Sequence, residues 1–210
     1  MPIKIKSFIV GPIDVNCYIV SDDTNEGVIV DAGGGAKEIL DYVAKEHINV
    51  KALLNTHGHG DHIGANDEIR DALNVPLYIH ALDNPMLTDP RKNLSAYMGF
   101  MAVARPAENL VGEGDKITFG HTTLNVLHTP GHSPGGVCYV DEADGLAFVG
   151  DTLFQGSIGR TDFPGGSEVT LVRGIKDKLM KLDDDVRVLT GHGPMTTIGY
   201  ERRFNMFLQW

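Results

Sequence analysis

The chain has 210 residues, 42% of them hydrophobic and 22% charged, with a formal net charge of -10. That composition suits a globular chain with a substantial core, and the length fits one domain over residues 1–210. No run approaches the roughly 20 apolar residues needed to cross a bilayer, which excludes a membrane span, and the negative balance argues against a nucleic-acid partner, which begins from a basic footprint.

In chain order, residues 1–10 alternate apolar and basic side chains without the apolar stretch and small-residue cleavage site of a secretory signal, so they read as a strand of a cytoplasmic protein. Strand-like runs follow at 16–20, 27–30, 50–54 and 77–80, then at 116–119, 122–128, 137–140, 147–149 and 186–189. Helical spacing separates them. Residues 36–46 carry Ile39, Tyr42 and Val43 on neighbouring turns, and a second helix is expected from Asp61 to Leu73. Ser167 caps a third, whose Val172, Ile175, Leu179 and Leu182 form an apolar stripe, and a fourth covers 199–208. This order predicts an α/β fold of two strand-then-helix halves whose sheets pack face to face beneath outer helices.

Several features read as structural. Cys17 and Cys138 sit in apolar runs and are expected as inert core thiols. Asp183, Asp184 and Asp185 read as a solvated turn. Met206, Phe207 and Leu208, with Trp210, are expected to cover the core.

The chemistry concentrates at Thr56-His57-Gly58-His59-Gly60-Asp61-His62, between an apolar run and a helix. Four side chains suited to zinc, iron or manganese fall in six positions, and Gly58 and Gly60 are expected to let the backbone turn tightly between them. Three further candidates each stand just past a strand-like run: His132 in Thr129-Pro130-Gly131-His132, Asp151 after Gly150, and His192 in Thr190-Gly191-His192-Gly193. Strands of a layered sheet end along a common edge, so residues placed just beyond several strand ends converge there. His47, His80, His121 and His128 lack this context and read as structural or exposed, support of a ligand from behind being the lesser alternative for His128.

The set His-x-His-x-Asp-His, then a distant His, an Asp and a final His, resembles the metallo-β-lactamase superfamily over essentially the whole chain. The resemblance implies a four-layer αβ/βα sandwich holding two divalent metal ions, zinc by expectation, with iron or manganese as alternatives. One ion would be held by His57, His59 and His132, a second by Asp61, His62 and His192, and Asp151 would bridge them. The mechanism it implies is hydrolysis by a hydroxide shared between the metals, with Asp61 orienting the attacking oxygen or moving its proton. Asp31 is similar to an aspartate that supports the site from behind in this superfamily.

The segments 150–154, 159–166 and 191–197 most resemble the small glyoxalase II-like hydrolases. That implies a small-molecule thioester substrate, such as S-lactoylglutathione. The chain departs from full glyoxalase II in lacking its added C-terminal helical region, and in presenting Arg160 and Asp162 where that enzyme offers Lys and Tyr to glutathione. Arg160 is expected either to hold a substrate carboxylate or to pair with Asp162 and order the loop. A β-lactamase of this fold ranks below, since it is normally exported and usually has Cys at position 151, and a nuclease lower still. The competing reading is a persulfide dioxygenase, which shares a similar Gly-Arg-Thr-Asp-Phe stretch and implies a single iron on His57, His132 and Asp151.

Overall fold

The computed structural model describes residues 3–209. The first half opens with the antiparallel strands β1 (Lys4–Val10), β2 (Val15–Ser21) and β3 (Glu26–Val30). Helix α1 (Ala36–Lys45) then carries the chain to β4 (Asn49–Leu54), parallel to β3. Helices α2 (Gly60–Ile63) and α3 (Asn66–Leu73) precede β5 (Leu77–His80), which with β6 (Asn109–Val111) completes a six-stranded sheet.

The second half runs through the antiparallel strands β7 (Lys116–Phe119), β8 (Thr122–His128), β9 (Val137–Asp141) and β10 (Leu146–Gly150). A small hairpin of β11 (Leu153–Phe154) and β12 (Ser157–Ile158) leads to helix α4 (Glu168–Asp177). Strand β13 (Arg187–Thr190) lies parallel to β10, and β14 (Thr196–Thr197) and helix α5 (Ile198–Phe204) close the second six-stranded sheet and its outer layer.

Three apolar layers follow from the period-2 alternation of strands buried on both faces. On β2, Cys17 and Ile19 face α1 and α3, where they meet Ile39, Val43 and Ile69, whereas Tyr18 and Val20 face the second sheet. On β10, Phe148 faces the first sheet while Ala147 and Val149 meet Leu171 and Ile175 of α4. Each fully buried aliphatic of this kind stabilises by about 1.5–3 kcal/mol. The result is an α/β sandwich of four layers. No described helix is long and apolar enough to cross a membrane.

The ten expected strands are present with ends shifted by a residue or two, and four short ones were not anticipated. β6, β11, β12 and β14 have two or three residues each, too few to display alternation. The helix expected through residue 73 is interrupted at Gly64 and Ala65, because Ala65 N donates to Ala32 O (2.9 Å) and a Cβ at Gly64 would lie 2.4 Å from Gly33 O. Helix α4 stops at Asp177, followed by a 3-10 turn over Leu179–Lys181, with the intervening Lys178 donating to His128 O (2.5 Å).

Two expectations need correction. Met206 and Phe207 are 75% and 40% exposed and do not cover the core, although Leu208 packs against it. The buried Asn205 ends α5 there, donating to Ser157 O and Glu201 Oε2 and accepting from Phe207 N; Trp210 lies outside the described residues. Asp184 is not simply solvated, since it pairs with Arg202 and Arg203 of α5. Both cysteines are free and buried, as their apolar context implied.

Candidate metal centre

Residues 55–62 leave the C-terminal end of β4 as an arc pinned at each step. Thr56 N and Oγ1 donate to the two oxygens of Asp31 (2.8 and 2.7 Å), Thr56 O accepts from Val137 N of the facing sheet (2.8 Å), and Asn55 Nδ2 donates to His62 O (3.1 Å). Gly58 and Gly60 serve packing rather than the tight turn expected of them. Neither has a positive φ, but a Cβ at 58 would stand 2.9 Å from Asp83 O, and one at 60 would stand 2.6 Å from Ser95 Cβ. The segment 83–102 lies over this arc and leaves no room for larger residues.

The other candidates arrive singly: His132 after β8, Asp151 after β10, His192 after β13. At Gly150, φ is +49°, a conformation favoured by glycine, and it turns the chain so that Asp151 faces the arc. A Cβ at Gly191 would lie 2.2 Å from Asp151 Oδ1, and one at Gly159 would lie 1.8 Å from Asp151 O.

The seven side chains meet at one end of the sandwich, past strand ends of both sheets. His57, His59 and His132 each bring a ring nitrogen within 4.8 Å of the others, and so do the donor atoms of Asp61, His62 and His192. Asp151 stands between the triads, with Oδ1 3.4 Å from His62 Nε2 and Oδ2 3.5 Å from His132 Nε2 and 3.7 Å from His192 Nε2.

The donors fit a cation. His57 Nε2, both nitrogens of His62 and Asp151 Oδ1 are buried with no hydrogen-bond partner. An unpartnered buried polar atom costs about 1–3 kcal/mol, and His57 Nε2, His62 Nε2 and Asp151 Oδ1 present lone pairs that a cation would satisfy, while the second His62 nitrogen, Nδ1, is the one left to keep the ring's proton. His62 Nδ1 is 3.1 Å from Asp31 Oδ2, near enough for charge pairing though not aligned as a hydrogen bond.

The two sides of the site differ in charge. Burial, reinforced by the His62, His59 and His132 imidazoles, pushes His57 well below the ordinary histidine pKa. Burial and then His132 bring His59 down to about 3. Both rings are therefore neutral near pH 7, the form a metal needs. On the other side burial pushes Asp61 and Asp151 up, but neighbouring imidazoles, His62 foremost, outweigh it and hold both below the usual carboxylate range. Conversely burial lowers His62 and His192, and the surrounding carboxylates outweigh it, so both are raised.

Ring orientation is set from behind. His132 Nδ1 lies 2.8 Å from Arg160 O and His192 Nδ1 3.3 Å from Asp14 O; a carbonyl only accepts, so both Nδ1 atoms carry the proton and both Nε2 atoms are left for the site. Arg160 thus touches the site through its main chain. Its guanidinium donates to both oxygens of the exposed Asp162 (3.0 and 2.7 Å) and stacks 4.3 Å above the Phe163 ring, which in turn faces His59 and His132. His128 stays outside, stacked on His80 with centroids 4.1 Å apart, and His47 and His121 are exposed.

Sequence reasoning missed Asp83, which is fully buried after β5 and accepts from Gly58 N (3.0 Å), Ser133 Oγ (2.7 Å) and Gly135 N (2.6 Å). Its only local signal is the Ala-Leu-Asp-Asn-Pro sequence of an ordinary turn.

A four-layer sandwich with His and Asp donors converging past the strand ends is a metallo-hydrolase architecture. The chain belongs to the metallo-β-lactamase superfamily, whose family model matches residues 10–192. It is similar to the hydroxyacylglutathione hydrolase GloC of Haemophilus influenzae, 36% identical over 92% of each chain. Among solved structures it resembles the BLEG-1 B3 metallo-β-lactamase, with TM-score 0.94 and 41% identity over 99% of this chain and 100% of that one. It also resembles TTHA1623 in a di-iron-bound form, with TM-score 0.85 and 36% identity over 97% of this chain and 100% of that one.

Proposed function

We propose that the chain hydrolyses acyl thioesters through two divalent ions, S-lactoylglutathione being representative of the substrate class. The observation that carries this reading is Asp151, whose two oxygens face both donor triads at 3.4 to 3.7 Å. In this reading His57, His59 and His132 hold one ion, Asp61, His62 and His192 the other, and Asp151 both. When bound, such a pair supplies Lewis acidity and a water that ionises near neutral pH. Zinc is the proposed ion, while iron and manganese suit the same donors, as the di-iron relative illustrates.

The remaining tasks fall to the chain itself. Asp61 Oδ2, 3.1 Å from His192 Nε2, is placed to orient the attacking oxygen or receive its proton. Asp31 and the Arg160 carbonyl hold His62 and His132 in place, and Phe163 offers an apolar wall for an acyl group beside His59. Because Arg160 is engaged by Asp162, a substrate carboxylate would have to displace that partner. The similarity to GloC favours a thioester, and the similarity to BLEG-1 makes a β-lactam the competing substrate.

The test is metal analysis of protein purified without added metal, alongside hydrolysis of S-lactoylglutathione and of nitrocefin and oxygen uptake on glutathione persulfide. Two ions per chain with thioester turnover are expected. One iron with oxygen consumption would replace the reading by a persulfide dioxygenase, and turnover of nitrocefin alone would replace the substrate class.

A further inference from the structure

The structure assigns Asp83 as a positioning residue: its buried carboxylate clamps the loop of His57 and His59 to the loop of His132, and so sets the spacing of the three-histidine triad. The inference rests on the ligand assignment proposed above and adds a residue whose carboxylate bonds to Gly58, Ser133 and Gly135 and to none of the seven candidate ligands.

The carboxylate has no local task. The turn after β5 is closed without it, Asp83 N donating to His80 O, Met86 N to Asp83 O and Leu82 N to His80 Nδ1. Both side-chain oxygens are spent on distant segments. Oδ2 accepts from Gly58 N, between His57 and His59, and from Ser133 Oγ, next to His132; Oδ1 accepts from Gly135 N. These donors are 25, 50 and 52 residues away in the chain. Both loops run hard against Asp83, since a Cβ at Gly135 would lie 2.7 Å from its Oδ1 and one at Gly58 2.9 Å from its carbonyl. Among the described residues no Lys or Arg pairs with it; the three donors, with His80 nearby, oppose its burial, which still holds the carboxyl above the usual carboxylate range.

The clamp is one-sided. Gly58 shares its arc with Asp61 and His62, but it lies directly between His57 and His59, and Ser133 lies next to His132, whereas no donor adjoins Asp61, His62 or His192, so loss of Asp83 should loosen the three-histidine triad more than the other. Asparagine keeps the shape but replaces one acceptor with a donor facing a donor. Ser133→Ala removes one bond and leaves two.

The experiment titrates metal-free full-length protein with Co2+, followed by absorption, in two backgrounds. His192→Ala leaves the three-histidine triad intact, and His59→Ala leaves the other. In the His192→Ala background Asp83→Asn should weaken Co2+ binding about 10-fold or more, the range typical of residues that support ligands. In the His59→Ala background the change should stay within about twofold, and Ser133→Ala should show the same asymmetry at smaller size. In the otherwise native chain, kcat should fall with KM little changed. Should Asp83→Asn not fold, Ser133→Ala carries the comparison. If neither background loses an ion relative to the native chain, the ligand assignment falls and the clamp with it. If each loses one but the Asp83 and Ser133 changes weaken both triads alike or neither, the clamp alone is refuted.

Discussion

The two halves of the molecule contribute to the centre in opposite ways. The first half delivers four donors from one arc of six residues after β4, so their spacing is bounded by the backbone itself even though Asp31, Asp83 and Val137 pin that arc from outside. The second half delivers one donor from each of three strand ends, and their placement depends on sheet register and on cross-sheet bonds such as Val137 N to Thr56 O (2.8 Å). The locally encoded half should tolerate perturbation of the sheet better. The distributed half should fail whenever a strand end moves.

The largest expected effect is that of Asp151→Ala, because this residue belongs to the second half yet faces both triads. On the proposed reading it should release at least one ion and lower the proposed hydrolytic turnover by more than the roughly 100-fold that losing a supporting residue costs. Metal content and kcat/KM measured on one preparation check this, and retention of both would break the comparison. Gly191→Ala comes next. Its added methyl would stand 2.2 Å from Asp151 Oδ1, so the strand end must shift, and metal affinity should drop although no ligand is altered; isothermal titration of the metal-free protein measures it.

A smaller contrast separates two residues behind the ligands. Asp31→Ala strands Thr56 N and Oγ1 and should weaken metal binding 10- to 100-fold by the same titration. Arg160→Ala should cost less than about fivefold in kcat/KM, since its side chain makes an exposed ion pair worth about 0–1 kcal/mol and an exposed stack on Phe163 worth about 0.5–1 kcal/mol, while its carbonyl stays in place. Smallest is Ser167→Ala, which removes the cap on Thr170 N and should cost about 1 kcal/mol, a fall in Tm of roughly 2–4 °C by calorimetry, without changing metal content.

This asymmetry also explains what was legible in the sequence. His57, His59, Asp61 and His62 could be grouped because adjacency itself carries the signal, and His132, Asp151 and His192 because each follows an apolar run that reads as a strand. The sandwich followed from strand alternation and two helical stripes. Hidden were features whose cause lies elsewhere in the chain: the break at Gly64 and Ala65 is dictated by Gly33 and Ala32, and the role of Asp83 by glycines and a serine up to 52 residues away. Arg160 misleads in a different way, because its conspicuous guanidinium turns outward while its ordinary carbonyl does the supporting.

The bonds between β2 and the loop of His192 have a consequence for assembly. Asn16 N donates to Gly191 O, Asn16 Nδ2 to Thr190 O and Gly193 O, and Tyr18 OH to Thr190 O, across 172 to 177 positions for the side-chain bonds. The opening hairpin, which bears none of the seven donors, thus acts as keystone for the last of them. These bonds can close only once β13 and the loop after it have been made, and such long-range closure is intrinsically slow. Shortening the hairpin would leave His192 without its anchor as surely as deleting β13.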